Sequence, residues 1–487
     1  MRYCKQIILI ITAVLLLFSF SVSSFADEIS DTSSLSDESS SAVSEEESDV
    51  EDIVYDMIPQ NILSEAYVVM DAKTGQVLLE KNMHKQLYPA SITKILTVAL
   101  ALEHCSLTEK HTMSAEAVRL PANSAHIALQ PDEEISIKDL AYAAILPSAN
   151  DAANGLGEHV AVKLGKTGLA DFGEIMNQKA AEVGALNSNF VNPSGLPDES
   201  HVTTAYDMAM ITKYALGVTG FREVFGKISY TIQPTNKNEV ARNIGTQHFM
   251  IAKSIYYYEG ATGGKLGWTA ASKCTCVTVA SRGDVELICV SLKTNAAYDK
   301  YEDTTALFDY CFNNFSYTSV SMGNMSALVV PIVENSVTIG EITSDGGFAT
   351  KLLLHTAAFN SDVNAEYTAP DYYPSLDSVE ENLPTVTLSL KEESLSNYMN
   401  TSLGTYPLDY SYNRVESDFS GKYAAAIRPL DDDKTLSPAA KIFFIVAAVI
   451  AFLIILLFVV RAINIYRYRK RRFRKYSNHS KYTKYRT

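Results

Sequence analysis

The order of periodic patterns along the chain limits the fold more than any other feature. Residues 66–80 contain two alternating apolar segments around a Lys-Thr-Gly turn, which predicts a β-hairpin. Helical periodicity dominates from about residue 91 to residue 214, and alternation typical of strands returns at residues 274–291. Strands at both ends with helices between them predict an α/β (α+β) domain whose sheet is built from both termini. We assign it to residues 56–317.

A second region follows, and its pattern is different. Short β-rich segments recur at residues 327–332, 351–357 and 385–390, separated by Gly, Pro, Asn and Asp turns. This pattern predicts a smaller β-rich domain, which we assign to residues 318–432.

The N-terminal end has the composition of an export signal and a spacer. A basic start, an apolar run from Gln6 to Phe20 and small residues at Ser24 and Ala26 predict a cleaved signal peptide over residues 1–26. An uncleaved N-terminal anchor is the alternative. Residues 27–55 are Ser-rich and acidic, with too few apolar groups to form a core, which predicts a disordered linker.

The C-terminal end predicts membrane attachment. Residues 442–460 are 19 consecutive uncharged, mostly apolar residues, so we expect a transmembrane helix over residues 440–460. The tail, residues 461–487, holds 11 Lys or Arg and no acidic residue, which by the positive-inside rule predicts a cytoplasmic location for it and an extracellular body. A basic tail can also bind nucleic acid. Its position beside the membrane segment favours a role in setting the membrane orientation over nucleic-acid binding. The formal net charge of −15 indicates an acidic body that binds nucleic acid poorly.

The cysteines do not form a recognisable framework. Cys4 belongs to the predicted signal, and five cysteines remain, an odd number for an exported chain. Cys274 and Cys276 lie in an apolar strand pattern, which favours buried packing thiols over disulfides or a metal site.

The first motif that carries chemistry opens the helical region. In Pro89-Ala-Ser91-Ile-Thr-Lys94 a spacing of three puts Ser91 and Lys94 on one helix face. A serine hydroxyl is a weak nucleophile until a neighbouring base removes its proton, and a lysine serves as that base only when its amine is partly neutral. An N-capping serine followed by a solvated lysine is the ordinary alternative.

Two further motifs lie downstream. Ser148-Ala-Asn150, between two helical segments, offers a hydroxyl that can relay a proton and an amide that can hold a peptide bond; loop capping is the alternative. Residues 263–269, Gly-Gly-Lys-Leu-Gly-Trp-Thr, place a cation among glycines just before a strand, where a simple turn is the alternative. The order S-x-x-K, S-x-N, K-x-G matches the three-motif set of penicillin-interacting serine enzymes.

Longer stretches around these motifs resemble the D-alanyl-D-alanine carboxypeptidases, the low-molecular-mass penicillin-binding proteins. The resemblance spans about residues 60–315. The stretches that carry it are Tyr88–Lys94, Ser148–Ala153, Phe190–Asp198, His201–Asp207 and Gly264–Thr269.

The resemblance implies a penicillin-binding/β-lactamase-like serine transpeptidase fold, an antiparallel sheet flanked by helices, with no cofactor and no metal. It implies peptidoglycan stem peptides as substrates and β-lactams as inhibitors. Ser91 would attack the penultimate carbonyl, Lys94 would take its proton, and Ser148 would pass a proton toward the leaving D-alanine. The remaining site residues would bind substrate: Asn150 its amide, Lys265 its charge, Gly267 by close approach, and Trp268 through its backbone amide, which would form the oxyanion hole with that of Ser91.

One position departs from the family pattern. Leu266 stands where the family usually has threonine, whose hydroxyl helps bind the terminal carboxylate. A hydrogen bond to the substrate is therefore lost unless Thr269, which we assign to substrate binding, or another donor substitutes. The alternatives to a carboxypeptidase are therefore a catalytically weak muropeptide-binding protein and a D,D-endopeptidase. A zinc peptidase is disfavoured, because the best candidate pair, Glu158-His159, has no second histidine nearby in sequence.

Overall fold

The computed structural model describes residues 56–322, 327–344, 347–391 and 393–414. Its first region, residues 56–314, contains nine strands: β1 (Ala66–Asp71), β2 (Val77–Lys81), β3 (Lys110–Thr112), β4 (Glu134–Ser136), β5 (Ser229–Ile232), β6 (Arg242–Gly245), β7 (Ala261–Thr269), β8 (Lys273–Arg282) and β9 (Val285–Thr294). It contains seven α-helices: α1 (Lys94–His104), α2 (Ile137–Ile145), α3 (Asn150–Lys163), α4 (Phe172–Glu182), α5 (Ala205–Gly217), α6 (Phe221–Phe225) and α7 (Asp299–Asn314).

The main sheet confirms that both ends of this region contribute strands. Its order is β2-β1-β9-β8-β7, and every neighbouring pair is antiparallel. The N-terminal hairpin therefore joins the C-terminal strands through the β1–β9 pair, in which Ala66 lies opposite Leu292. β7 is an edge strand, so one of its edges is free for an extended ligand.

Local sequence explains where the helices around the first two motifs begin and end. α2 begins after Ser136, whose hydroxyl accepts a hydrogen bond from the backbone N–H of Asp139 at 3.0 Å. α2 and α3 are separated by residues 146–149, and the second motif begins in that connection. α1 is buried along almost its whole length, which fixes the position of the residues before it.

Two apolar clusters pack on the two faces of the sheet. One lies between the sheet and the helices and includes Val68 and Leu100. The other lies on the opposite face, where Leu307 of α7 and Leu353 of the second region belong to the same cluster. The second region is thus packed directly against the first through a shared apolar core.

The second region is β-rich, as its turn-separated segments predict. Its elements are β10 (Phe315–Met322), β11 (Leu328–Glu334), β12 (Val337–Ser344), β13 (Phe348–His355), β14 (Val363–Thr368), α8 (Asp377–Glu381), β15 (Thr385–Leu390), β16 (Ser402–Pro407) and β17 (Ser411–Arg414). They form small sheets of order β10-β13, β11-β12-β17 and β14-β15-β16. β10 begins directly after α7, so it crosses the predicted boundary at residue 317.

The predictions for the chain ends fall outside the described residues. These are the signal peptide at 1–26, the linker at 27–55, the transmembrane helix at 440–460 and the basic tail at 461–487. Within the described ranges, none of the helices combines the length and the apolar character that crossing a membrane requires.

Candidate active site

Ser91 lies on a tight turn and not on the α-helix predicted for it. Ala90–Thr93 form a 3₁₀ helix, and α1 begins only at Lys94. Because residues three apart eclipse one another in a 3₁₀ helix, the S-x-x-K spacing brings the two side chains face to face. The Lys94 Nζ to Ser91 Oγ distance is 2.8 Å.

Lys94 is fully buried, and its Nζ is in contact with three oxygen atoms. Nζ donates to Asn150 Oδ1 and to the main-chain oxygen of Ser194, both at 2.7 Å. A neutral amine has two N–H groups and one lone pair, so these two acceptors leave the lone pair for the Ser91 hydroxyl. Burial first, and the charge of Lys265 second, hold the pKa of Lys94 well below its ordinary value. The site therefore contains a base beside a hydroxyl nucleophile.

The second and third motifs meet through one hydrogen bond. Lys265 Nζ donates to Ser148 Oγ at 2.8 Å and to the main-chain oxygen of Leu266 at 3.0 Å. Burial lowers the pKa of Lys265 to about 7. Ser148 has a left-handed backbone with φ of 65°, a conformation that costs energy in a non-glycine residue and that aims its hydroxyl at the lysine.

Gly267 lets β7 approach the nucleophile. A Cβ at this position would lie 2.4 Å from Thr275 Oγ1 and 2.8 Å from the backbone nitrogen of Ser91. The Thr275 hydroxyl in turn donates to the carbonyl of Pro89 at 2.8 Å, which ties β8 to the turn that holds Ser91. No larger residue fits here without moving the strand away, because the contacts are to backbone and buried atoms.

The residues around Gly267 face in different directions. Leu266 packs against the apolar cluster on the sheet face opposite Lys265, as alternation along a strand requires. Trp268 is 67% exposed. The Thr269 hydroxyl donates to Ser272 Oγ at 2.8 Å, so it closes the β7–β8 turn and is already engaged. The proton of the Thr269 hydroxyl is already used in this bond, so Thr269 does not replace the hydrogen-bond donor missing at Leu266.

The loop over Lys94 holds residues that sequence reasoning missed. The Asn192 Oδ1 accepts hydrogen bonds from the backbone N–H groups of Ser194, Gly195 and Leu196, which fixes the Ser194 carbonyl that binds Lys94. His201 Nε2 lies 2.9 Å from Thr93 Oγ1, and its Nδ1 accepts from the Val191 N–H. A main-chain acceptor has no sequence signature, although both segments lie within stretches that carry the family resemblance.

The metal candidates have protein partners. Glu158 Oε2 lies 3.0 Å from His111 Nε2, and His159 Nε2 lies 3.1 Å from Glu109 Oε2. Cys105, Glu109 and His159 place one ligand atom each within 4.8 Å of one another. Lys163 forms a 2.6 Å ion pair with the same glutamate, and an ammonium at that point opposes a metal cation.

The described cysteines are free and buried, which confirms the prediction of packing thiols. They are Cys105, Cys274, Cys276, Cys289 and Cys311. Burial raises the pKa of Cys276 to about 11, so its thiol is neutral and inert at physiological pH.

Comparison with known proteins agrees with this geometry. Residues 54–296 match the family described as D-alanyl-D-alanine carboxypeptidase. The D-alanyl-D-alanine carboxypeptidase DacF of Bacillus subtilis is 27% identical over 284 residues, covering 57% of this chain and 69% of that protein. DacB2 of Mycobacterium tuberculosis, also named a D-alanyl-D-alanine carboxypeptidase, is 28% identical over 259 residues, covering 51% of this chain and 82% of that protein.

A solved structure shows the same fold over a longer span. Penicillin binding protein 5 from Haemophilus influenzae superposes with a TM-score of 0.54 and 21% identity, covering 74% of this chain and 100% of that one. That coverage exceeds the first region alone, so the fold likeness includes strands of the second region.

A hydroxyl nucleophile paired with a buried lysine, at the edge of an antiparallel sheet flanked by helices, defines the class of serine acyl-enzymes with the penicillin-binding fold. Within this class, the chain belongs to the D-alanyl-D-alanine carboxypeptidase family of serine peptidases.

Proposed function

We propose that this protein removes the terminal D-alanine from peptidoglycan stem pentapeptides through an acyl-enzyme on Ser91. The observation that carries the proposal is the 2.8 Å contact between Ser91 Oγ and the Nζ of Lys94, a fully buried lysine whose other two partners are Asn150 Oδ1 and the Ser194 carbonyl. The substrate class follows from the relatives, which are D-alanyl-D-alanine carboxypeptidases, and from the family resemblance.

The chemistry follows from the geometry. Ser91 Oγ attacks the carbonyl of the penultimate D-alanine while Lys94 Nζ takes the hydroxyl proton. The tetrahedral oxyanion is stabilised by the backbone N–H groups of Ser91 and Trp268, which lie on the turn and strand that Gly267 brings together. Ser148, bonded to Lys265, passes a proton to the departing D-alanine nitrogen as the peptide bond breaks. Water then hydrolyses the ester and regenerates Ser91.

Lys265 has a second role in the proposal. Its ammonium supplies the positive charge for the substrate's terminal carboxylate, and a bound carboxylate favours the charged form of the lysine. A β-lactam presents a carboxylate in the same place, and its acyl group stays on Ser91. Penicillin is therefore a covalent inhibitor in this account.

The proposal is tested by mass spectrometry of a synthetic pentapeptide ending in D-Ala-D-Ala after incubation with purified protein. We expect a tetrapeptide and one D-alanine from the wild type, and neither from Ser91→Ala. Labelled penicillin bound at Ser91 without release of D-alanine would support the second candidate, a weakly catalytic muropeptide-binding protein. Leu266 is the observation that favours that candidate, because its side chain offers no hydrogen bond to the carboxylate.

We also propose an outward-facing, membrane-anchored location. Support comes only from the sequence: the predicted signal at 1–26, the apolar run at 442–460 and the basic tail at 461–487. A chain truncated after residue 435 should leave the membrane fraction and appear outside the cell. Retention of the truncated chain in the membrane would contradict the anchor.

A further inference from the structure

A group of exposed aromatic side chains lies at the free edge of the main sheet. We call it the aromatic surface, and its members are Phe249 and Tyr256 of the loop before β7, Trp268 of β7 and Tyr298 directly before α7. Trp268 is 67% exposed, Tyr298 52% and Phe249 41%. Soluble proteins seldom leave several large apolar side chains together at the surface unless that surface binds a partner.

Stacking holds the rings of the loop in place before any ligand binds. The Tyr256 and Tyr298 rings are stacked, with a centroid distance of 5.3 Å and an interplanar angle of 11°. The buried Tyr301 ring contacts two of them, at 5.1 Å from Tyr256 and 5.8 Å from Phe249. A partner that packs on these faces therefore immobilises few side-chain rotations, which favours binding.

Trp268 lies on the same face of the sheet as these rings. Leu266, two residues earlier on β7, packs against the same apolar cluster as Tyr256, and side chains two apart on a strand share a face. The register places Trp268 opposite Cys274, and Cys274 in turn opposite Thr294 at the end of β9. The strand that leads to Tyr298 is thus two strand spacings, roughly 10 Å, from Trp268.

The direction of a bound stem peptide decides which part of the substrate meets this surface. In the proposed reaction the terminal carboxylate lies at Lys265 and the scissile carbonyl at the backbone N–H of Trp268. The peptide therefore extends along β7 from Lys265 toward Thr269, and its N-terminal part leaves the groove at the Trp268 end of the strand. In peptidoglycan the N-terminus of the stem is joined to the glycan strand, so the reaction itself brings a sugar polymer to this end.

Aromatic faces suit a neutral sugar polymer. The face of an aromatic ring carries partial negative charge, which attracts the polarised C–H groups of a pyranose ring, and tyrosine adds a hydroxyl that can bond to sugar hydroxyl and amide groups. A membrane surface fits this region less well, because the first turn of α7, directly beside Tyr298, contains Asp299 and Glu302. Carboxylates there repel the anionic headgroups that attract proteins to bilayers.

We propose that the aromatic surface binds the glycan strand of peptidoglycan next to the stem peptide that is being cleaved. The inference rests on the proposed function for the direction of the peptide, but it concerns a different ligand and different side chains. The enzyme should therefore act faster on pentapeptides attached to glycan than on free pentapeptides, because the polymer adds contacts outside the groove.

The test is a titration of the purified full-length protein with soluble glycan strands from which an amidase has removed the stem peptides. Trp268 is the only tryptophan of the chain, so its fluorescence reports on this surface. The double variant Phe249→Ser, Tyr298→Ser should bind about tenfold more weakly, as expected for the loss of two aromatic contacts. The matched control is Phe359→Ser, Tyr372→Ser, which removes a similarly exposed pair of rings from the second region and should bind like the wild type.

D-alanine release from a free pentapeptide separates this inference from the proposed function. The double variant should keep the wild-type kcat/KM on that peptide, which also shows that it is folded. Absence of release from the wild type would contradict the carboxypeptidase activity, whereas glycan binding is measured without turnover. Equal affinity of the double variant and the wild type for the glycan strands would overturn the assignment. Loss of binding to phosphatidylglycerol vesicles alone would overturn it too, in favour of a membrane contact.

Discussion

The two regions bury very different groups. The first region, residues 56–314, buries Lys94, Lys265 and Asp151 close to one another. In the described part of the second region the buried polar residues are Ser344 and His355, and the remaining buried side chains there are apolar. Burying charge is expensive unless partners compensate, so a fold that keeps Lys94 and Lys265 buried beside each other does so for their chemistry. The reactive groups therefore lie in the first region, whereas the described part of the second region buries mostly apolar side chains.

The two regions are nonetheless joined by specific contacts. Gln76 exchanges two hydrogen bonds of 2.9 Å with the main chain of Leu353, and the apolar cluster behind the sheet continues across the junction. The two regions therefore share an apolar core, although only the first buries the lysines of the active site. Variants in the active site and in the second region test whether the second region affects the reaction.

The largest effect is expected from Lys94→Met, which keeps most of the volume and removes the base. Acylation by labelled penicillin should slow by about 10³-fold or more, as for loss of a general base. Asn150 Oδ1 and the Ser194 carbonyl lose a donor, so the melting temperature is measured alongside to show that the protein is folded. A folded variant that is acylated within tenfold of the wild-type rate would contradict the role of Lys94.

Lys265→Ala should act on rate and on pH dependence together. Loss of the cation should slow acylation by about 10²-fold. The Lys265 ammonium lowers the pKa of Lys94, so its removal raises that pKa, and the pH at which acylation begins to rise should move upward. The measurement is the second-order acylation rate constant over a pH series, with the exposed Lys237→Ala as control. An unshifted rising limb would show that the two lysines are not coupled.

Leu266→Thr should raise D-alanine release by about tenfold, because the short threonine side chain keeps its hydroxyl close to the β7 backbone, within reach of a carboxylate bound at the free edge. Leu266→Val is the matched control, since valine has the same shape as threonine and lacks the hydroxyl. The leucine packs against the core behind the sheet, so both variants should lose some stability. A rate for the threonine variant no higher than for valine would show that position 266 does not contact the substrate.

The smallest effect on rate is expected from Leu388→Ala in the second region. The side chain is fully buried, and its truncation should lower the free energy of unfolding by about 2–5 kcal/mol. The acylation rate of the folded fraction should stay within about twofold of wild type, as for distant sites. Leu100→Ala in α1, equally buried, should lower both quantities. A large rate loss in Leu388→Ala would mean that the second region shapes the site.

Much of the fold followed from the sequence because its signals are local. The β1–β2 hairpin, the helices between residues 91 and 214 and the strands at residues 274–291 lie where the sequence predicts them, since apolar periodicity and turn residues determine them. The glycine-rich stretch at residues 263–267 does not have a strand pattern, because glycine disfavours strands, yet it forms part of β7. Pairing of β7 with β8 overrides that preference.

The site was predicted unevenly for a physical reason. Ser91, Lys94, Ser148, Asn150 and Lys265 act through side chains with a recognisable spacing, and the structure brings them together. The Ser194 carbonyl and its support by Asn192 were missed, because a main-chain oxygen looks the same in every residue. The aromatic surface was also missed, since its residues come from three separate segments.

The central claim is that Ser91 is the nucleophile activated by Lys94. The most direct measurement is proteolytic digestion of the protein after reaction with penicillin, followed by mass spectrometry that locates the adduct. We expect one adduct on the peptide that contains Ser91, absent in Ser91→Ala and formed far more slowly in Lys94→Met. An adduct on Ser148 or any other residue, with Ser91 unmodified, would contradict the account.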